Sequence, residues 1–134
     1  MSGIFIQEDE TIEAKIFIGY SEDKKSIFAN KDKTLLLKEE NIVEKSIVEH
    51  SVVLKKPSYK EEVAVMSKAL KTNINADTVQ LDFVAMNYTR LITLLIGWSF
   101  VNDDNSPIVV NETSINKLHP SIANAIINII SDYV

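Results

Sequence analysis

Apolar and polar residues recur along this chain with two periods, and the period changes near residue 58. In residues 11–20, TIEAKIFIGY, Ile12, Ala14, Ile16, Ile18 and Tyr20 share one side of an extended chain, with Glu13, Lys15 and Phe17 on the other. A period of two predicts a half-buried strand, interrupted at Gly19. Residues 20–33 are small and charged around Ser26-Ile27-Phe28-Ala29, which predicts a hairpin or exposed loop. Residues 34–37 read as a short strand. Residues 38–50 space Ile42, Val43, Ile47 and Val48 as a helix would, yet with β-branched side chains, so both readings stay open. Residues 50–57 end in Lys56-Pro57, and the position before proline favours extended backbone.

Beyond Pro57 the period becomes helical. Ser58 followed by Glu61 forms a capping box, and Val63, Met66 and Leu70 mark the predicted apolar stripe. Residues 72–76 form a polar connector. Asp77, with Gln80 three residues on, then predicts the N-cap of a helix of about 20 residues, roughly 30 Å long, through the run to Val101. Its stripe is Val84, Tyr88, Leu91, Leu95 and Trp98, widened by Leu81, Ile92 and Leu94. The rest of the chain is expected to pack on it, with Trp98 buried where it meets the last helix. Residues 102–107, NDDNSP, form a turn cluster, and 108–110 a short extended piece. Asn111 or Thr113 caps a short helix through Leu118, and Pro120 suits the first turn of the last one. There Ile122, Ala125, Ile126, Ile129, Ile130 and Tyr133 lie along one side.

These elements predict an α+β fold in one domain of 134 residues. Residues 1–57 are mainly strands and loops, and 58–134 mainly helical, with three to four helices. The length suffices to bury a core without staples, and the chain has no cysteine to supply one. A net charge of −5 gives no general attraction to nucleic acid or an anionic membrane, so neither is expected as a partner. The N-terminal MSGIFIQEDE lacks the basic start of a signal peptide, and Ser2 stands where myristoylation needs glycine. The apolar run 91–101 is too short to span a bilayer.

Chemistry adds little. His50 and His119 are far apart and sit beside predicted element boundaries, which suits surface or capping roles better than catalysis. Gly3, Gly19 and Gly97 are isolated and form no phosphate loop. The pairs Glu39-Glu40, Glu61-Glu62 and Asp103-Asp104 lack an apolar frame and read as solvated surface. Asp103-Asp104-Asn105 lacks the Gly and distal Glu of a calcium loop. Lys55, Lys56 and Lys60 beside Tyr59 form a small basic patch, a weak candidate for a phosphate or protein contact. No enzyme activity, metal or cofactor is therefore expected. The apolar helical faces are the stronger feature: Trp98, Phe100, Ile122, Ile126 and Ile130 are candidate partner-binding residues.

Two segments carry a resemblance. HSVVLKKPSYKE, residues 50–61, looks like the hydrophobic, basic, Pro-Ser-aromatic segment that precedes a helix in small tailed-phage proteins. The last third, LLIGWSFVNDDNSPIVVNETSINKLHPSIANAIINII, resembles tail assembly chaperones of tailed bacteriophages, with Asn105-Ser106 in place of the usual turn glycine. The resemblance implies a helix ending in Trp98, which anchors an acidic turn, then Thr113 as a cap, and Leu118 with Pro120 setting the terminal helix. It further implies a nonenzymatic protein in the cytoplasm of the infected bacterial host. Such a protein binds the tape measure and tail tube proteins and self-associates. The alternatives are a permanent small virion component of tail, baseplate or neck, and a small host-directed regulatory binding protein.

Overall fold

The computed structural model describes residues 4–7, 10–73 and 78–133. The fold is α+β, with a four-stranded antiparallel sheet built mostly from the N-terminal part and helices mainly in the C-terminal half. Strand β1 (Thr11–Tyr20) pairs with β2 (Ile27–Asn30) on one side and β3 (Val48–Lys55) on the other. Strand β6 (Leu95–Trp98) adds to β3, giving the order β2-β1-β3-β6. Gly19 does not break β1. It lies under Ile42 and Ile47, where an added Cβ would come within 2.8 Å of the Ile42 Cδ1, so the glycine admits the covering segment. The expected alternation holds from Ile12 to Ile18 and fails at Tyr20, which is exposed.

Between β2 and β3 the chain forms helix α1 (Lys33–Leu36), not the expected strand over 34–37, because the Asp32 carboxylate accepts the Thr34 N–H at 2.8 Å and nucleates a turn. Leu36 plugs that turn into the protein interior. The ambiguous stretch 38–50 resolves into a 3-10 turn (Glu44–Ser46) leading into β3.

Helix α2 (Tyr59–Ala69) begins as expected. The Ser58 hydroxyl accepts the Glu61 N–H at 3.3 Å, and the Glu61 carboxylate accepts the Ser58 N–H at 3.2 Å. Its buried face is Val65 and Ala69 instead of the Val63–Leu70 stripe. Of the expected connector, Thr72 and Asn73 belong to strand β4 (Leu70–Asn73), which pairs with β5 (Thr78–Leu81), and residues 74–76 lie outside the described residues. Asp77, the expected cap, lies outside the described residues.

The long central helix is therefore shorter at both ends. Helix α3 (Phe83–Leu94) starts at Asp82, whose carboxylate accepts the Ala85 N–H at 3.1 Å. It stops at Leu95, where the backbone turns extended to join β3. Gly97 sits directly over Val53, 3.2 Å from an added Cβ to the Val53 Cβ, and no bulkier residue would fit there without a shift. A short apolar run satisfies both periods, and tertiary pairing with β3 selects the strand. Helices α4 (Glu112–Asn116) and α5 (Pro120–Tyr133) complete the order. The core joins Ile16, Ile18, Val52 and Leu54 from the sheet to Leu91, Leu94, Ile115, Ile126, Ile129 and Ile130 from the helices. No helix among the described residues is long and apolar enough to cross a membrane.

Candidate functional site

The candidate residues separate into two groups. Ile126 and Ile130 on α5 are 0% and 2% exposed and belong to the core, which corrects their reading as a partner surface. They are buried because α5 packs against β2, β1 and α3 through Ala125, Ile126, Ile129 and Ile130. Trp98, Phe100 and Ile122, by contrast, are half-buried and come together along an open cleft of about 880 Å³. Ile27, Ile108, Val109, Leu118 and His119 also line it, together with polar residues and the charged Asp103 and Lys117.

Trp98 is not at a helix end or fully buried at a helix junction, as expected from the sequence. It closes strand β6, and its indole N–H donates to the Ile108 carbonyl at 2.7 Å. That bond ties β6 to the returning segment 107–110 and fixes the ring. The Phe100 ring lies 5.3 Å from the indole and meets the His50 ring edge-on at 5.1 Å. The turn that follows is closed by the Asn102 N–H donating to the Ser106 carbonyl at 2.8 Å. Asn105 takes φ 67°, a left-handed conformation that asparagine tolerates, so the chain turns here without glycine. Asp104 accepts hydrogen bonds from the Ser106 hydroxyl and N–H, which hold its carboxyl below the usual carboxylate range.

The rim is formed by the start of α4. Asn111 is the cap, accepting the Ser114 N–H at 2.8 Å while its own N–H donates to the Ser114 hydroxyl at 3.0 Å. Thr113, the other expected cap and the one the resemblance implies, is the second residue of the helix and lines the cleft. Asparagine wins because its amide oxygen reaches the N3 backbone from the extended position before the helix. His119 does cap: its Nδ1 accepts the Ser121 N–H at 3.2 Å at the start of α5. His50 is instead inside β3 and half-buried against Phe100, and burial pushes its imidazole below the ordinary histidine value.

The remaining charged features are engaged locally. Glu61 and Glu62 are partly buried and paired, not merely solvated. Glu61 holds Lys55 at 2.8 Å and Glu62 holds Arg90 at 3.0 Å, tying α2 to β3 and α3. The Lys55 and Ser58 hydrogen bonds keep the Glu61 carboxyl below its usual range. Lys56 lies 3.6 Å from Glu10, so two of the three lysines in the basic patch have carboxylate partners. Among the described residues no three His, Cys, Asp or Glu side chains cluster to hold a metal ion. Sequence reading did not place Ile108, Leu118 and His119 beside Trp98. The available signal was the turn cluster, which doubles the chain back on β6. No family model, curated protein or solved structure matches this chain.

Proposed function

We propose that this is a nonenzymatic protein of bacteriophage tail morphogenesis, an assembly chaperone that binds the tape measure and tail tube proteins through the Trp98–Phe100 cleft. The observation that carries the binding role is the fixed aromatic pair beside Ile122, open to solvent and braced from behind by the Ile108 carbonyl. Rigid aromatic anchors beside an apolar pocket are the usual centre of a protein contact, because they bury much area at little entropic cost. The mixed apolar-polar lining suits an apolar side-chain row from a partner helix or strand. The identity of the partners rests on the resemblance of residues 94–130 to tail assembly chaperones.

Mass spectrometry of purified particles, with co-expression pull-downs, tests this reading. A chaperone is absent from mature virions and co-purifies with tape measure or tail tube protein. Presence in virions at a fixed copy number would replace it with a structural component. Failure to bind either protein, together with absence from virions, would remove the tail assignment altogether.

A further inference from the structure

The two edges of the four-stranded sheet are finished differently. On β6 the pairing with β3 is bulged at Val53–Leu54. The continuation of β6 is already covered, with Val101 bridged to Pro107 and the Ile108 N–H donating to the Phe100 carbonyl at 3.3 Å. Bulges and prolines are devices that stop a strand edge from pairing further. On β2 neither is present. Its register with β1 runs unbroken, and its sequence, IFAN, makes it the one strand of β1 to β3 without a charged residue.

The ladder fixes which way the β2 backbone groups point. Opposed residues in an antiparallel pair alternate between exchanging both bonds and exchanging none. The Ser21 N–H donates to the Ser26 carbonyl at 3.0 Å, so the bonded pairs that follow are Gly19 with Phe28 and Phe17 with Asn30. Tyr20 agrees with this alternation: its N–H donates to the Ser46 hydroxyl at 2.8 Å, and its carbonyl accepts the Val43 N–H at 2.9 Å, both away from Ile27. The N–H and C=O groups of Ile27 and Ala29 therefore point out of the sheet edge, and no other described group bonds to them. A cavity of about 210 Å³ lies along this edge, lined by Ala29, by Asn124 and Asn128 of α5 and by Glu39. Phe28 points to the opposite face from Ile27 and Ala29, the face it shares with Gly19 and the covering Ile42. The carboxylates lining the cavities around Phe28 are Glu22, Asp23 and Glu39, and the one basic residue there, Lys31, is tied to Asp132.

We propose that β2 is a docking edge for an extended segment of a partner protein, which adds antiparallel to the sheet beside it. The four outward backbone groups of Ile27 and Ala29, spaced along a strand, are complemented by another extended backbone and not by a helix, whose own groups are already bonded. Paired residues share a face, so the edge also sets the order of side chains in the segment. The residue opposite Ala29 meets Asn124 and Asn128, whose exposed amides have no partner among the described residues, and is itself a short amide. The next, opposite Phe28, lies on the side of Glu39, Glu22 and Asp23 and is basic. The third, opposite Ile27, is apolar and enters the aromatic cleft that Ile27 lines. That third contact rests on the cleft being a protein-binding site, as proposed above, whereas the strand pairing does not. A second copy of β2 does not fit the pattern, because it would set Phe28 against Phe28 and carboxylates against carboxylates.

Titrating a short capped peptide, Thr-Thr-Asn-Lys-Leu-Thr-Thr, into the isotope-labelled full chain tests the proposal by NMR without presupposing the natural partner. The amide signals of Ile27 and Ala29 are expected to shift and saturate with a Kd on the order of 1 mM, as befits a short ligand that must be ordered on binding. Methylating the backbone nitrogen of the peptide's asparagine, which faces Ala29, should weaken binding at least about tenfold, the scale of a lost backbone bond whose partner is left unpaired. Methylating that of its lysine, which faces away from β2, should change binding less than about threefold. On the protein side, Ala29→Pro removes an edge N–H that the ladder does not use, so the fold should be kept and the peptide lost. Should that variant unfold, the two methylated peptides decide alone. No saturable shift at Ile27 and Ala29 up to about 10 mM peptide, or equal losses from the two methylations, would overturn the strand mode. Self-association abolished by Ala29→Pro would overturn it in favour of a second copy. Replacing the peptide's leucine by threonine separates the edge from the cleft: binding unchanged by it would remove the third contact and keep the pairing. Conversely, tape measure binding weakened by Ile122→Asn, with no peptide adding to β2, would keep the cleft and remove the edge.

Discussion

Two stretches of nearly equal length differ in how they use charge. Residues 11–62, which hold the sheet strands β1 to β3, carry ten basic and ten acidic side chains. Residues 83–133, with α3, β6, α4 and α5, carry six charged side chains in all. In the first stretch several charges are paired, as in Lys15–Glu49, Lys55–Glu61 and the Glu62–Arg90 tie to α3. Such pairs position elements and keep a surface soluble while adding little stability. In the second stretch charges are few, and most of the aromatic cleft lies there, with Asp103 and Lys117 among its lining residues and Ile27 contributed by β2. A surface with few charges costs less to desolvate. Under the proposed function, the difference leaves solubility to one part and contact to the other.

The largest effect expected from breaking this division is at the core of the helical part. Ile126→Ala should cost about 2–5 kcal/mol, because it leaves a cavity at a fully buried position under the sheet. Urea unfolding reads it as a lower midpoint with an unchanged slope. Trp98→Phe keeps a ring but leaves the Ile108 carbonyl without its indole donor. It should cost about 1–2 kcal/mol and loosen segment 107–110, visible as faster amide exchange there.

The two candidate caps of α4 form a sharper pair. Asn111→Ala should lose about 1 kcal/mol and Thr113→Ala less than about 0.5 kcal/mol, measured by thermal unfolding. Equal losses would contradict the assignment of Asn111. The smallest effect is a pH dependence. The folded-state value of His50 lies below its unfolded one, so the unfolded chain binds the proton more readily. Its contribution is present above the ordinary histidine value of about 6.5 and is lost as pH falls through the lower folded value. His50→Gln should flatten the stability profile in that window. Glu61, also depressed, acts lower, from its ordinary value of 4.5 downward, as its Lys55 and Ser58 bonds are lost on protonation.

What was legible in the sequence follows from where local and tertiary forces agree. The Ser58–Glu61 box, Pro120 and the period-two run of β1 are local signals, and each element starts where its residues direct. Residues 77–101 were not legible as a hairpin strand, a helix and a sheet strand, because one apolar pattern serves both periods. The edge of β3, far earlier in the chain, decides where α3 ends. At the site, Trp98, Phe100 and Ile122 were legible as apolar surplus. Their separation from Ile126 and Ile130 was not, since one helix face carries both sets and only the position of the sheet distinguishes them.

The central claim, that contact belongs to the charge-poor part and to the aromatic cleft in particular, is tested most directly by titrating tape measure protein against Ile122→Asn and against Lys15→Ala on the sheet. Circular dichroism controls for folding in both. The account predicts at least about a tenfold weaker association for the first, the scale of a lost apolar anchor, and none for the second. Binding unchanged by Ile122→Asn in a folded protein, or weakened by Lys15→Ala alone, would contradict it.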